Sequence, residues 1–242
     1  MQQRDSRFSQ AVGLVAGGTG GLGRAVTLEL LSEGAVVATT YRTQTEFDAL
    51  VEAAGVNAAR LEGHRVDVTD EAATRRLVEA VVARHGRLDA LVNTVGGYAG
   101  GIKLAELDTT VLDHLLALNL RSGYALARAV LPAMLSAGRG SIVNIAAKAA
   151  LEPSARAAAY AASKAAALAL MNALAAETIG TGVRVNSVLP SVIDTAANRK
   201  SMPKADFTKW PKPEEIARVI LFLCSDDSAA IHGAAVPVYG AR

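Results

Sequence analysis

Residues 16–23 read Ala16-Gly17-Gly18-Thr19-Gly20-Gly21-Leu22-Gly23, and this stretch decides the fold. A short apolar run precedes it, and the amphipathic helical pattern of residues 22–31 follows it. Glycines allow positive φ and a close approach of the backbone to a pyrophosphate, and the N–H groups at a helix start attract the anion. The stretch predicts a nucleotide-binding turn between a strand and a helix, although a tight turn without a ligand also uses glycines.

The rest of the chain alternates short runs rich in Val, Ile and Leu with longer segments of helical period. Such alternation is typical of βα units whose parallel strands are buried on both faces. The predicted strands are residues 11–16, 35–41, 59–66, 88–93, 140–146, 182–189 and 234–238. We expect an α/β fold, a Rossmann-type doubly wound sheet of these seven parallel strands with helices on both faces, in a single domain over residues 1–242.

Composition and charge argue against several classes of protein. The net charge is +2 with Lys and Arg dispersed along the chain, which does not favour a nucleic-acid partner. The apolar helical stretch 165–176 is shorter than the roughly 20 residues that a bilayer span needs, so no membrane segment is expected. The polar N-terminus shows no signal peptide, which predicts a cytoplasmic protein. No metal site is expected from the four scattered histidines, which are His64, His85, His114 and His232.

The end of the second predicted strand indicates which nicotinamide cofactor is used. It reads Thr39-Thr40-Tyr41-Arg42-Thr43. A carboxylate at this place would bond a ribose hydroxyl and repel a 2′-phosphate, whereas a guanidinium attracts the phosphate. Arg42 therefore favours NADP(H) over NAD(H). The alternative is a solvated surface arginine, since no second basic residue lies within the glycine turn to share the phosphate.

Tyr160 and Lys164 are one turn apart on a helix predicted to begin near Arg156, so their side chains lie on the same face. An ammonium about 4 Å from a phenol contributes roughly 4 kcal/mol at an effective dielectric of 20, or about three pK units. Lys164 is therefore expected to lower the pKa of Tyr160 and make it a general acid-base. The same spacing also occurs by chance on many helices.

Four features follow one another along the chain: the glycine turn, Asn93-Thr94-Val95-Gly96, Asn119, and Tyr160-Ala161-Ala162-Ser163-Lys164. In this order and spacing the chain resembles the short-chain dehydrogenase/reductase family from end to end. The resemblance implies an oxidoreductase with Tyr160, Lys164 and Asn119 as catalytic residues. Asn119 would hold a water that relays protons to Lys164, although it could also be an ordinary polar residue within a helix.

The resemblance also implies contacts with the cofactor. Asp67 would contact the adenine, and Asn93 would brace the central strand beside the cofactor. Thr195 would contact the nicotinamide carboxamide, and Lys164 would bind the nicotinamide ribose. With the glycine turn and Arg42 included, the expected cofactor-binding residues are Gly17, Thr19, Gly21, Leu22, Gly23, Arg42, Asp67, Val68, Asn93, Tyr160, Lys164, Pro190, Ile193 and Thr195.

The family pattern is broken at Ala147. A serine normally stands thirteen residues before the tyrosine and bonds the substrate oxygen, and this chain has no hydroxyl there. Loss of one donor to a developing oxyanion costs on the order of 10²–10³ in rate, so an activated planar substrate is expected. Segments 95–101, 147–151 and 194–210 resemble the dihydropteridine reductase branch, which implies a quinonoid dihydropteridine. That branch usually prefers NADH and has an acidic residue where Tyr41 stands.

Residues 190–213 carry four of the seven prolines and follow the sixth predicted strand, where ligand loops lie. The predicted substrate residues are Ala147 together with Met202, Phe207 and Trp210 of this loop. Two alternatives stay open: a carbonyl reductase or alcohol dehydrogenase, including a 3-oxoacyl thioester reductase, and a catalytically idle NADP(H)-binding regulatory protein. The family resemblance and the Ala-rich helix over residues 156–178 imply a homo-oligomer, either a dimer or a tetramer, although alanine also serves close packing within one subunit.

Overall fold

A sheet of seven parallel strands organises the computed structural model, which describes residues 7–240. The strands are β1 (Val12–Ala16), β2 (Val36–Tyr41), β3 (Leu61–Arg65), β4 (Ala90–Asn93), β5 (Gly140–Ile145), β6 (Val183–Pro190) and β7 (Ala235–Val238). Their order across the sheet is β3-β2-β1-β4-β5-β6-β7. The predicted fold is confirmed, and every predicted strand is present with its ends shifted by no more than two residues.

Helices cover both faces of the sheet. Within the described residues they are α1 (Gly21–Ser32), α2 (Gln44–Ala54), α3 (Glu71–His85), α4 (Thr109–Leu116), α5 (Ser122–Ala137), α6 (Ala158–Glu177), α7 (Ala196–Ser201) and α8 (Pro213–Cys224). One hydrophobic core joins α1 and α8 to the sheet, and a second core joins α3, α5 and α6 to its opposite face. Leu14 of β1 belongs to the second core and its neighbour Val15 to the first. Because both faces are covered, the central strands β1, β4 and β5 are buried along nearly their whole length, whereas the edge strand β3 carries polar residues and is only partly buried.

Helix α6 carries the predicted catalytic pair and covers nearly all of the helix predicted over residues 156–178. It has 20 residues and a mean hydropathy of 1.2 in its most apolar window, so it alone among the described helices is long and apolar enough to cross a membrane. The expectation of no membrane-length helix considered only the apolar stretch 165–176, whereas the helix also includes residues 158–164, nearly two further turns. Half of the window is buried, and α6 packs on β6 and α4, which is typical of a core helix.

The order of the strands determines where a ligand can bind. The chain moves outward from β1 to β2 and β3, and then returns to place β4 on the other side of β1. The connections that leave β1 and β4 therefore diverge to opposite sides and open a crevice at the carboxyl ends of these strands. The glycine turn and Asn93 lie at this edge.

Candidate functional site

The glycine turn between β1 and α1 is shaped by close backbone contacts. Gly17 has a φ of +77°, and its N–H donates to Thr40 Oγ1 at 2.9 Å. A Cβ on Gly18 would lie 1.8 Å from Thr39 Oγ1, and a Cβ on Gly23 would lie 2.1 Å from the carbonyl oxygen of Gly17. Gly17 thus provides the positive φ that was predicted, whereas Gly23 allows α1 to approach the turn.

A cleft of about 800 Å³ opens beside the turn, which is a volume typical of small-molecule sites. The cleft is lined along its length by polar side chains and by glycines that expose the backbone. The far end is lined by arginines and by the loop after β3, and the near end by the segment after β4. The predicted cofactor residues that line this cleft are Gly17, Thr19, Arg42, Asp67 and Val68.

Other predicted cofactor residues lie next to the cleft rather than in its lining. The side chain of Leu22 is buried in the core between α1 and α8, so only its backbone could contact a cofactor. A Cβ on Gly21 would lie 2.7 Å from Thr195 Cγ2, which places Thr195 against the glycine turn. Pro190 is the buried last residue of β6, and Ile193 packs on the core beneath α1 and α8.

Asn93 ties the segment after β4 to the neighbouring strand. Its Nδ2 donates to Asn144 Oδ1 on β5 at 3.0 Å, and its Oδ1 accepts from the N–H of Val95 at 3.1 Å. The side chain is buried, and Asn144 is its partner in the strand register. This is the bracing geometry that was expected of Asn93.

The cofactor analysis from sequence missed Arg65. This residue ends β3 and lies opposite Tyr41 in the parallel register, so it lines the cleft together with Arg42. No basic residue lies within the glycine turn, as the sequence indicated, but the neighbouring strand β3 supplies a second cation beside Arg42. The alignment of strand ends in a parallel sheet could have revealed it. Asp67 also lines the cleft, and its pKa is lowered mainly by hydrogen bonds from Thr69.

Asn119 lies in a π-helical turn, Ala117–Arg121, between α4 and α5. Single π turns inside helices are frequent at functional sites. Its Nδ2 donates to the carbonyl oxygen of Gly97 at 3.0 Å and to Ser163 Oγ at 2.9 Å, and its Oδ1 accepts from the N–H of Gly97 at 2.9 Å. Because both amide protons are bonded to the protein, the Asn119 side chain positions the Gly97 loop against α6, and the predicted water cannot accept from that amide.

Tyr160 and Lys164 occupy the first two turns of α6, which begins at Ala158, two residues after the predicted start. Lys164 is 5% exposed, and its Nζ donates to the carbonyl oxygen of Ile145 at 2.8 Å. Burial lowers the pKa of Lys164 to about 8. Burial, with a smaller contribution from Tyr98, raises the pKa of Tyr160 to about 12. The expected lowering of the pKa of Tyr160 is therefore not observed, because loss of hydration dominates for this phenol.

The catalytic pair adjoins the near end of the cleft. Gly96 lines the cleft, and a Cβ at this position would lie 3.0 Å from Lys164 Nζ and 2.8 Å from Asn119 Oδ1. Ala147 lies two residues after Ile145, the last residue of β5. It is 6% exposed, and its side chain has no hydroxyl. A ligand that fills the cleft as far as Gly96 would thus end beside the amine of Lys164.

The predicted substrate loop is closed at its base and carries two short helical turns. The N–H of Asp194 donates to the carbonyl oxygen of Pro211 at 2.9 Å, and Arg199 forms an ion pair with Asp194. Phe207 and Trp210 pack with ring centroids 5.0 Å apart.

The placement of Trp210 differs from the prediction. Together with Tyr239 it lines a second cavity of about 430 Å³ beside β7, rather than the larger cleft. Met202 is 37% exposed. The structure thus brings Phe207 and Trp210 together, but Trp210 does not line the larger cleft, because this part of the loop lies at the β7 edge of the sheet.

Comparison with known proteins identifies relatives over nearly the whole chain. The family model described as short chain dehydrogenase matches residues 11–206. The 3-oxoacyl-acyl-carrier-protein reductase of Thermotoga maritima is 32% identical over 97% of this chain and 98% of its own length. The D-threitol dehydrogenase of Mycolicibacterium smegmatis is 36% identical over 98% of this chain and 94% of its own length.

Solved structures share the same fold. The structure of ElxO with NADP bound superposes with a TM-score of 0.90 at 26% identity, covering 95% of this chain and 97% of that one. Carveol dehydrogenase from Mycobacterium avium in complex with NAD superposes with a TM-score of 0.89 at 25% identity, covering 97% and 98%. Both nicotinamide cofactors thus occur among proteins of this architecture.

Proposed function

Because this chain belongs to the short-chain dehydrogenase/reductase family, we propose that it is an NADP(H)-dependent carbonyl reductase or alcohol dehydrogenase whose proton carrier is Tyr160. Membership of the family makes it an oxidoreductase with a nicotinamide cofactor and a small-molecule substrate. The observation that carries the proposal is the position of Lys164 Nζ beside Gly96, where the cleft meets the catalytic pair.

The residues of the cleft fit a nicotinamide dinucleotide. The turn at Gly17 offers backbone without side chains for the pyrophosphate, Asp67 and Val68 would hold the adenine end, and Gly96 would adjoin the nicotinamide end. The cofactor supplies or accepts the hydride. Lys164, with a pKa of about 8, is mainly charged at pH 7, so its ammonium can stabilise the phenolate that forms when Tyr160 gives up its proton.

The relatives favour a carbonyl or alcohol as substrate. Their names describe a 3-oxoacyl reductase and a polyol dehydrogenase, and both reactions interconvert a carbonyl group and an alcohol. A quinonoid dihydropteridine is the second candidate. It is favoured by the resemblance of segments 95–101, 147–151 and 194–210 and by Ala147, since a substrate that accepts hydride readily needs fewer donors to its oxygen or nitrogen.

Arg42 and Arg65 support the preference for NADP(H). Both arginines line the far end of the cleft, where the adenosine ribose of a dinucleotide that follows the glycine turn would lie. Two guanidinium groups can bind the 2′-phosphate through charge-assisted hydrogen bonds, which NAD(H) cannot form. Glu46 lines the same end, so the net charge there is less positive than the arginines alone suggest.

Tyr160→Phe tests the proposed chemistry. It is expected to lower kcat by about 10²–10⁴ for reduction of 3-oxoacyl thioesters and simple ketones with NADPH, because the general acid is lost. NADPH affinity, measured by quenching of cofactor fluorescence, is expected to stay within about threefold. Tyr124→Phe is the matched control, since this tyrosine lies on α5 and bonds Arg128.

Two outcomes would contradict the proposed function. Turnover of quinonoid dihydropteridine with no turnover of any ketone or alcohol would assign the second candidate. NADPH binding without oxidation on any of these substrates would indicate the regulatory binding protein, because the cleft would then serve recognition alone.

Arg42→Ser and Arg65→Ser test the cofactor preference. Each is expected to raise the KM for NADPH by about 10–100-fold, as loss of a hydrogen bond to a charged group costs about 1.5–3 kcal/mol. The KM for NADH should change less than about threefold. The control is Arg76→Ser on the exposed side of α3. Equal changes for both cofactors would show that the arginines do not contact the 2′-phosphate.

A further inference from the structure

Tyr98 places a second phenol beside the catalytic tyrosine. The rings of Tyr98 and Tyr160 meet edge to face, with centroids 4.9 Å apart and planes at 75°. Tyr98 is nevertheless 71% exposed, so burial of apolar area does not account for its position. Tyr98 also contributes electrostatically to the raised pKa of Tyr160, after the larger effect of burial.

The loop that carries Tyr98 is fastened on both sides of it. On one side, Gly97 exchanges two hydrogen bonds with the buried Asn119 amide, at 2.9 and 3.0 Å. On the other side, the N–H of Ile102 donates to the carbonyl oxygen of Arg156 at 3.2 Å, just before α6 begins. Both anchors belong to elements that hold the catalytic residues, so Tyr98 is positioned relative to Tyr160 by the same framework.

The Tyr98 phenol lies over Gly100, and its hydroxyl has no hydrogen-bond partner among the described residues. A Cβ on Gly100 would lie 2.1 Å from the Tyr98 hydroxyl oxygen, so a side chain there would displace the ring. The hydroxyls of Tyr41 and Tyr124 both form hydrogen bonds with protein side chains, whereas that of Tyr98 forms none with residues 7–240. A phenol hydroxyl both donates and accepts, so this one is available to a ligand.

We propose that Tyr98 donates the second hydrogen bond to the substrate carbonyl oxygen, in place of the hydroxyl that Ala147 lacks. The proposal rests on the carbonyl reductase function proposed above. When hydride adds to the carbonyl carbon, the π electron pair moves to the oxygen, and that oxygen takes the proton of Tyr160. Tyr98 keeps its own proton and stabilises the negative charge that develops on the oxygen.

A double-mutant cycle between positions 98 and 147 tests this role. Tyr98→Phe retains the ring and its edge contact with Tyr160 but removes the donor. It is expected to lower kcat/KM for a ketone about 100-fold, mainly through kcat, because the bond strengthens as charge develops. With Ala147→Ser also present, the same Tyr98→Phe change is expected to cost less than about fivefold, since a second donor is restored.

The results that overturn the proposal are distinct from those that overturn the function. Equal losses from Tyr98→Phe with and without Ala147→Ser would show that the two positions do not share a task. A fall in kcat/KM with Tyr98→Leu but none with Tyr98→Phe would show that the ring of Tyr98 lines the substrate site and that its hydroxyl is not a donor. No ketone reduction by the unaltered protein or by Ala147→Ser would instead refute the carbonyl reductase function, and this proposal with it.

Discussion

At the scale of a single residue, Lys164 is buried although burial is unfavourable for its charged amine. Its amine is buried, and in the described part of the chain its one hydrogen-bond acceptor is the carbonyl oxygen of Ile145. Burial disfavours the ammonium and lowers its pKa from 10.5 to about 8. The proposed catalytic role requires a cation beside Tyr160, and burial of that cation costs the fold part of its stability.

Lys164→Met is expected to change how stability depends on pH. The folded protein binds fewer protons than the unfolded chain between pH 8 and 10.5, so stability rises with pH across this window and the penalty is complete below it. Between pH 7 and pH 10.5 the stability of the unaltered protein should therefore rise by about 3 kcal/mol relative to the variant. Urea unfolding of both proteins at several pH values measures this difference. A constant difference would show that the amine is not buried as an ammonium.

At the scale of elements, the glycine turn and helix α1 act as one unit. The fold needs α1 close to the end of β1 so that its N–H groups face the cleft, and the carbonyl oxygen of Gly17 fills the space where a Cβ of Gly23 would lie. The π turn around Asn119 has a corresponding task, because it turns one amide toward both the Gly97 loop and Ser163 on α6.

Gly23→Ala is expected to weaken cofactor binding and stability together. The added methyl would lie 2.1 Å from the carbonyl oxygen of Gly17 and 2.7 Å from Thr94 Oγ1, so α1 must move away from the turn. We expect a loss of about 1–3 kcal/mol in unfolding free energy. NADPH affinity should fall at least about tenfold, since the N–H groups no longer face the pyrophosphate.

Gly13→Ala is the control for this change. Its Cβ would meet only Leu30 Cδ1 within 4 Å, at 3.5 Å, which is an ordinary contact. A fall in stability for Gly23→Ala with unchanged NADPH affinity would show that the distance between α1 and the turn does not govern binding.

At the scale of the whole molecule, the site is assembled at the carboxyl edge of the sheet from segments far apart in the chain. The order β3-β2-β1-β4-β5 places Arg65, Arg42, the glycine turn, Gly96 and Ala147 in sequence along that edge. A dinucleotide lying across this edge would contact the two arginines, which could bind a phosphate, at one end and the pair Tyr160 and Lys164 at the other. The homo-oligomeric state and the cytoplasmic location stay predictions.

The sequence by itself determined the strands, the glycine turn, the pairing of Tyr160 with Lys164 and the resemblance to the family. These signals are local. The hydrophobic period, the glycine spacing and a separation of one helical turn each involve only a few neighbouring residues, so they can be recognised without knowledge of the packing. The position of Trp210 and the raised pKa of Tyr160 could not be predicted from the sequence, because the direction of a loop and the hydration of a phenol depend on what packs around them.

Only the tertiary structure decided which distant residues meet. Arg65 lies beside Arg42 because β3 pairs with β2 in register, and Tyr98 lies against Tyr160 because Asn119 and Arg156 fasten its loop from two different elements. No periodicity in the sequence predicts these contacts between distant residues. They arise from the packing of helices on a sheet, where contacts join residues separated by tens of positions, and the proposed donor to the substrate oxygen depends on one of them.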